Sequence, residues 1–413
     1  MDAVKLEEEA ALHRAAIEPA RSCCACKNKT QERADMAAVG AEEGASTELI
    51  PGLPDDVAME CLARVPSRSH RPMRRVCRGW RGAVASPEFR RRRRLAGAAE
   101  DVVFLVQASL PACGAGGDGK GPSTPQCALA AANLTTGEWR RVEAESGWGP
   151  VPLFAQCAAA GDGRHVAVVG GWDPRTLRPT SEVRVLDVLA GAWRRGRAMP
   201  GHARSFFGCC AGAGGHVYVA GGHDGDKNAL RSALAYDVAA DAWRALPDMA
   251  EDRDEPQLVA VHGGRVVAAS GYPTEAQGAF RRTAESYDGS GAGAWAHEGD
   301  DVVPAAGTCL ASVRGNVWAV GAGKGGVREW AGGAGWRDVA DGPPGMKACV
   351  KAVGFGDDGG VFVFGTVDDD AAEEESSGRY AAWVMDAAAA AWRRVHVPPG
   401  FDGFVYSAAA VRV

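Results

Sequence analysis

No stretch of the 413-residue sequence reaches the ~18 consecutive apolar residues that a membrane-crossing helix requires, so no membrane partner is expected. The N-terminal segment MDAVKLEEEAALHRAAIEPARSCC lacks the basic-then-apolar layout of a secretory signal. The 9 His form no H-E-x-x-H pair, and neither a G-x-x-x-x-G-K-[ST] phosphate loop nor a G-x-S-x-G elbow occurs. Cys23-x-x-Cys26 has no second ligand pair nearby, which argues against a zinc site. The rest of the 12 Cys are scattered, often in apolar runs such as LFAQCAAAG, and read as reduced thiols. A cytoplasmic and/or nuclear protein with no metal and no cofactor is expected.

What the sequence does have is glycine and tryptophan. Its 55 Gly are nearly twice the usual ~7% share and show no G-X-Y period, which excludes collagen. The 12 Trp are too regularly spaced for a flexible linker. At 413 residues the chain exceeds one ordinary domain of about 100–200 residues, unless one unit is a large repeat.

Residues 1–46 are Ala/Glu-rich, lack sustained periodicity and are expected to form a disordered tail. Met36 offers a second point at which translation could begin, which would leave residues 1–35 untranslated. Residues 47–97 differ in character, with 12 Arg and 5 acids for a net +7, against −13 for the remainder of the −6 chain. Their punctuation suggests three short helices. Pro54 suits a helix start, and Asp55 and Asp56 suit the positive end of its dipole. Val57, Cys61, Leu62 and Val65 share one helical face, and Met73, Val76, Cys77, Trp80 and Val84 repeat the stripe. So small a core is marginal alone and needs a partner surface. The Arg90–Arg94 run reads as a solvated basic helix; a nuclear-import signal is the competing reading. Nucleic-acid binding is not expected, because the remaining chain is acidic and lacks interleaved aromatic platforms.

From residue 100 a repeat dominates. Trp139, Trp193, Trp243, Trp295, Trp336 and Trp392 are spaced 54, 50, 52, 41 and 56. Asn133, Asp187, Asp237 and Asp386 each precede their Trp by six residues, and Asp288 by seven. Upstream lie β-rich runs ending in small residues, such as HVAVVGG and HVYVAGG. The physical reading is a four-stranded antiparallel sheet per unit. A Gly pair ends strand two where a Cβ is forbidden. The Asp or Asn bonds its own backbone in the hairpin between strands three and four. The Trp packs between sheets, where full burial of about 150–250 Å² at roughly 25 cal/mol/Å² is worth a gross ~4–6 kcal/mol. The first unit, residues 101–143, holds three strands, and FVYSAAAVRV at 404–413 looks like the missing one. Its return closes the ring and removes the exposed edge. The fifth unit is short and lacks the Asp, and DDDAAEEE at 368–375 reads as a solvated insertion.

A ~50-residue period with Gly doublet, Asp and Trp resembles kelch repeats, the blades of a β-propeller. Residues 47–97 are similar to an F-box through Leu53-Pro54-x-Asp56, Cys61 to Pro66, and Arg74 to Arg81. The fold expected is a small all-α F-box followed by an all-β six-bladed kelch propeller at 100–413. Its blades span about 101–143 plus 404–413, 153–199, 206–249, 256–298, 307–340 and 347–397. The stretch GGHDGDKNALRSALAYDVAADAWRALPDM, then RDE and GYPTEAQGAFRRTAESYD, looks like the plant kelch-domain F-box subfamily. Members of that subfamily direct turnover of phenylpropanoid and flavonoid enzymes or of cytokinin-response regulators.

The resemblance implies a non-catalytic substrate-recognition subunit of an SCF-type cullin–RING ubiquitin ligase. Leu53, Pro54, Leu62, Val65, Val76 and Trp80 would meet a Skp-type adaptor, with Leu53 and Pro54 in direct contact and Trp80 divided between core and interface. The loops after strand two and between blades share one propeller face, where a target protein would bind. The candidates there are Trp172, Arg175, Arg204, Phe206, His223, Asp224, Lys227, Asn228, Arg231, Arg253, Asp254, Glu255, Tyr272, Glu275, Gln277 and Arg281. The implied target is phenylalanine ammonia-lyase or chalcone synthase, turned over by the proteasome. Two other classes stay open: a non-degradative sequestering scaffold, and a metal oxidase of the galactose oxidase type.

Overall fold

The computed structural model describes residues 48–109, 126–144, 147–289, 293–303, 307–332, 335–367, 379–386 and 388–413. The N-terminal tail with Cys23 and Cys26, and the 368–375 insertion, lie outside the described residues.

Helix α1 spans Asp55–Ala63, α2 His70–Met73, α3 Arg78–Ala85 and α4 Pro87–Leu95, with a 3-10 turn at Ser67–Ser69. The expected three helices are therefore four. The Met73–Val84 stripe is broken at Cys77, whose backbone is extended and whose sulfur accepts the Trp80 N–H to start α3 afresh. Val76 sits in that break, 62% exposed. On α1 the core residues are Ala58 and Leu62, while Val57 and Cys61 point outward. The small core joins Leu62, Ala63, Met73, Val84 and Phe89, with Trp80 packed at its edge.

From Asp101 onward the chain builds six four-stranded antiparallel sheets. Blade one is Val405–Arg412, Asp101–Ser109, Gln126–Asn133 and Trp139–Val142, so the chain's last strand is its innermost. Blade two is Gln156–Ala159, His165–Val169, Val183–Asp187 and Ala192–Arg195. Blade three is Gly208–Ala211, His216–Ala220, Ala233–Asp237 and Ala242–Ala245. Blade four is Gln257–Ala260, Val266–Ala269, Ala284–Tyr287 and Ala296–Gly299. Blade five is Cys309–Val313, Asn316–Val320, Val327–Trp330 and Trp336–Ala340. Blade six is Met346–Phe355, Gly360–Val367, Tyr380–Asp386 and Ala391–Val395. Innermost strands neighbour one another around the ring, and that of blade six meets that of blade one. Six apolar clusters fill the six seams between successive blades.

The repeated residues act locally. Asn133 Oδ1 accepts the Thr135 and Thr136 N–H groups, Asp187 Oδ1 that of Ala190, and Asp237 Oδ1 those of Ala239 and Ala240. Each holds the turn between strands three and four. Gly222 has a positive φ of 81°, and a Cβ there would lie 2.4 Å from the Ser205 carbonyl oxygen. The tryptophans sit on or beside the outermost strands and are only half-buried, so each yields a fraction of the burial energy expected. Their indole N–H groups compensate. Trp193 donates to Glu143 O, Trp243 to Arg197 O, Trp295 to Pro247 O, Trp336 to Val302 O and Trp392 to Asp341 O, at 2.7–2.8 Å. Every one of these acceptors lies just past the outer strand of the preceding blade, so the Trp is a blade-to-blade staple.

The helical module seats on the propeller through Glu100. This carboxylate, 6% exposed, accepts Ser67 N–H at 2.8 Å and Ser67 O–H at 2.5 Å from the module. It also accepts Asn133 Nδ2 at 2.6 Å from blade one. Arg93 stands 3.4 Å away, 1% exposed, and donates to the carbonyls of Ala63, Val65 and Ala98. The basic run is a solvated helix, as expected, except at Arg93. Arg93 is a buried strut, Arg91 and Arg92 pair with Glu88, and Arg94 approaches Asp357 of blade six.

His70 lies beside this joint, 1% exposed, its ring edge-on to Phe89 at 5.3 Å. Burial, reinforced by the Arg93 charge, pushes it from 6.5 down to about 4. The folded state thus keeps His70 neutral while the unfolded chain protonates it near 6.5. Its contribution is intact above pH 6.5 and is lost as pH falls toward 4, by about 3 kcal/mol in all. We expect urea unfolding of the intact chain at pH 7 and pH 4.5 to show this loss, and His70→Leu to remove that part of the acid slope.

Candidate functional site

In each antiparallel blade the hairpins joining strands one and two, and three and four, emerge on one face of the ring. The loops after strand two and the links between blades emerge on the other. The helical module touches the hairpin face alone among its described contacts: Ser67 and Arg93 at Glu100, Arg68 with Glu138, Arg71 over Gly191, and Arg94 near Asp357. Among the described residues, none of the module's contacts reaches the opposite loop face.

All sixteen target-contact candidates fall on that loop face over blades two to four, but the structure divides them. Arg204, His223, Arg253, Asp254 and Tyr272 are buried, with only the His223 edge reaching a surface groove. Arg204 donates to the Gly221 and Ser232 carbonyls and to the Ser232 hydroxyl, so it clasps strands two and three of its own blade. Burial pushes its guanidinium down to about 10, opposed only by Asp248. Arg253 does the same one blade on, through the Ser270 and Thr283 carbonyls, and adds Glu285 at 3.1 Å and Glu251 at 2.9 Å. Arg175, Lys227, Asn228, Arg231, Glu275 and Gln277 are exposed; Trp172, Phe206, Asp224, Glu255 and Arg281 are partly so.

A buried hydrogen-bond chain links the blades beneath this surface. The Trp172 indole N–H donates to Ser205 Oγ at 2.6 Å, and Ser205 Oγ lies 2.9 Å from His223 Nε2. His223 Nδ1 lies 2.8 Å from Asp254 Oδ2. With the Nδ1–H donated to the carboxylate, Nε2 is free to accept the serine O–H. These are the distances of a Ser-His-Asp relay, yet Ser205 is 0% exposed and its oxygen already holds an indole N–H. The chain therefore acts as an interblade brace. Tyr272 extends the network by donating to Glu255 Oε1 at 2.9 Å.

The open surface is aromatic as well as charged. Phe154, Phe206, Phe404 and Tyr406 border the mouth of the central channel. Phe154 lies 4.6 Å from Phe206 and 4.9 Å from Tyr406, and Phe404 lies 5.0 Å from Tyr406. Beside them, Trp172, Leu177 and Pro179 face His223, Asp224 and Lys227 across a groove of about 290 Å³. Sequence reasoning missed Phe154, Phe404, Tyr406 and Leu177. One signal was available for Phe154: it occupies the same repeat position as Phe206 and Glu255, and all three share a positive φ of 53–59°.

Of the adaptor candidates, Leu62 is core, and Trp80 is anchored inward by its indole N–H on the Leu49 carbonyl at 2.6 Å. Leu53 and Val65 are half-buried, and Pro54 and Val76 are exposed. Among the described residues no group of three or more His, Cys, Asp and Glu could hold a metal ion. His223→Ala leaves Ser205 and Asp254 buried without their partner and is expected to cost about 1–3 kcal/mol or more. Chemical denaturation reads this, and a fluorophosphonate probe is expected to leave Ser205 of the folded wild type unlabelled.

Comparison with known proteins agrees with both modules. The F-box domain pattern matches residues 50–92, and the kelch motif matches residues 203–250. F-box/kelch-repeat protein At2g44130 of Arabidopsis thaliana is 42% identical over 262 residues, 58% of this chain and 63% of the relative. F-box/kelch-repeat protein SKIP20 of the same plant is 42% identical over 273 residues, 58% of this chain and 64% of the relative. The matches thus span less than two thirds of those two relatives. F-box/kelch-repeat protein At1g15670, also of Arabidopsis thaliana, is 38% identical over 279 residues, 66% of this chain and 77% of the relative. With F-box helices seated on a six-bladed kelch propeller, the chain belongs to the F-box/kelch-repeat protein family.

Proposed function

We propose that the chain is the substrate-recognition subunit of an SCF-type cullin–RING ubiquitin ligase. The F-box holds a Skp-type adaptor, and the loop face of the propeller captures a target protein for ubiquitination and proteasomal turnover. The chain forms no covalent intermediate. It raises the effective concentration of target lysines near the charged conjugating enzyme. The observation that carries this reading is the placement of two open surfaces about one buried joint. The F-box leaves Pro54, Val57, Cys61 and Val76 uncovered, while its other side is fixed to the hairpin face. The aromatic and charged loop face lies on the far side of the ring.

The target class we favour is an enzyme of phenylpropanoid or flavonoid metabolism, such as phenylalanine ammonia-lyase or chalcone synthase, met in the cytoplasm and/or nucleus. The resemblance of blades three and four to that subfamily supports it. Leu53→Ala combined with Pro54→Ala is expected to lower adaptor co-purification at least about tenfold, roughly 1.4 kcal/mol, with the thermal unfolding of the propeller unchanged. Unaltered adaptor recovery sinks the ligase reading. Target abundance that does not respond to proteasome inhibition identifies a sequestering scaffold instead.

A further inference from the structure

The innermost strands of the blades enclose a central channel of about 490 Å³. Lys351 of blade six is the one basic side chain among its described lining residues, which include the thiols of Cys157, Cys209 and Cys309. Cys309 opens the first strand of blade five and borders the channel. Cys349 lies on the neighbouring innermost strand of blade six, 8% exposed. The two residues share the apolar seam between those blades, and their thiols hydrogen-bond to each other.

The electrostatics separate this pair from the other thiols. Burial pushes Cys157 and Cys209 up. Cys309 is pulled down, first by the Cys349 hydrogen bond, against burial, and then by the Lys351 ammonium. Cys349 is pushed up by burial and by the proton it keeps for Cys309. Cys309 is therefore the thiol whose ionisation its surroundings favour, and it borders the channel with Cys349 beside it in the seam. That is the arrangement of an attacking and a resolving cysteine.

We propose that Cys309 and Cys349 are an oxidant-sensitive dithiol: a small hydroperoxide admitted by the channel is attacked by Cys309, and Cys349 closes an intrachain disulfide joining blades five and six. With hydrogen peroxide, the Cys309 thiolate forms an S–O bond as the O–O bond breaks, and the departing hydroxide takes a proton and leaves as water. The Cys349 sulfur then displaces the sulfenic hydroxyl, its proton going to that oxygen, which departs as a second water. The peroxide gains two electrons and the two thiols lose them. This site is independent of the ligase reading.

The test is peptide mapping of the reduced full chain after brief hydrogen peroxide treatment and denaturing alkylation. The expected product is a Cys309–Cys349 linked peptide pair lacking two hydrogens. Cys349→Ser is expected to accumulate a dimedone-reactive sulfenic acid at Cys309. Lys351→Gln is expected to slow Cys309 oxidation at pH 7 severalfold, since the ammonium favours the thiolate. The proposal is overturned if wild-type Cys309 and Cys349 are alkylated to the same extent with and without peroxide. It is overturned equally if the disulfide forms between other cysteines. The wild-type map decides without reliance on any variant's folding.

Discussion

Glu100 is the residue on which the arrangement of this protein turns. Its backbone N–H and C=O pair with Val413 and so help lock the final strand into blade one. Its side chain accepts from Ser67 of the F-box and Asn133 of the propeller, with Arg93 at its back. Burial works to raise its pKa, but the Ser67 hydrogen bonds, then Asn133 and Arg93, outweigh it and hold the group ionised. Removing one member of such a buried set strands the others, which costs far more than the set contributes net. Ring closure and module seating therefore meet at this one residue. The F-box is thus held to the propeller by packed contacts as well as by the chain connection.

The propeller repeats devices as well as strands. An Arg at the start of blades three and four clasps that blade's second and third strands, through Arg204 and Arg253. An indole N–H reaches back to the preceding blade at five successive tryptophans. These polar residues carry the scaffold's load, which leaves the exposed loop residues free to serve recognition. A Ser-His-Asp relay absorbed into an interblade brace shows that chemical geometry without access is structure.

Much of this was legible in the residues. The Trp period, the Asp or Asn six residues before it and the C-terminal strand that completes blade one are local or arithmetic signals, and the structure has them in those places. Other features were misread because their meaning depends on the third dimension. Met73 to Val84 keeps helical spacing across a turn, since Cys77 restarts the helix without disturbing the count. Arg90–Arg94 looks uniformly basic, yet only the fold drives Arg93 into the joint and leaves Arg91 on the surface. Arg204, His223, Arg253, Asp254 and Tyr272 occupy loop positions that suggest exposure, but those loops fold inward over the blade ends.

By itself the sequence determined the blade count, the closure and the helical adaptor-like module, because periodicity, strand pairing and turn chemistry act over short distances. Tertiary structure alone decided which loop residues face solvent, and that the F-box sits on the hairpin face. It also decided that Cys309 meets Cys349 across a seam. Burial and partnership between residues far apart in the chain follow from packing, and packing leaves no period in a sequence.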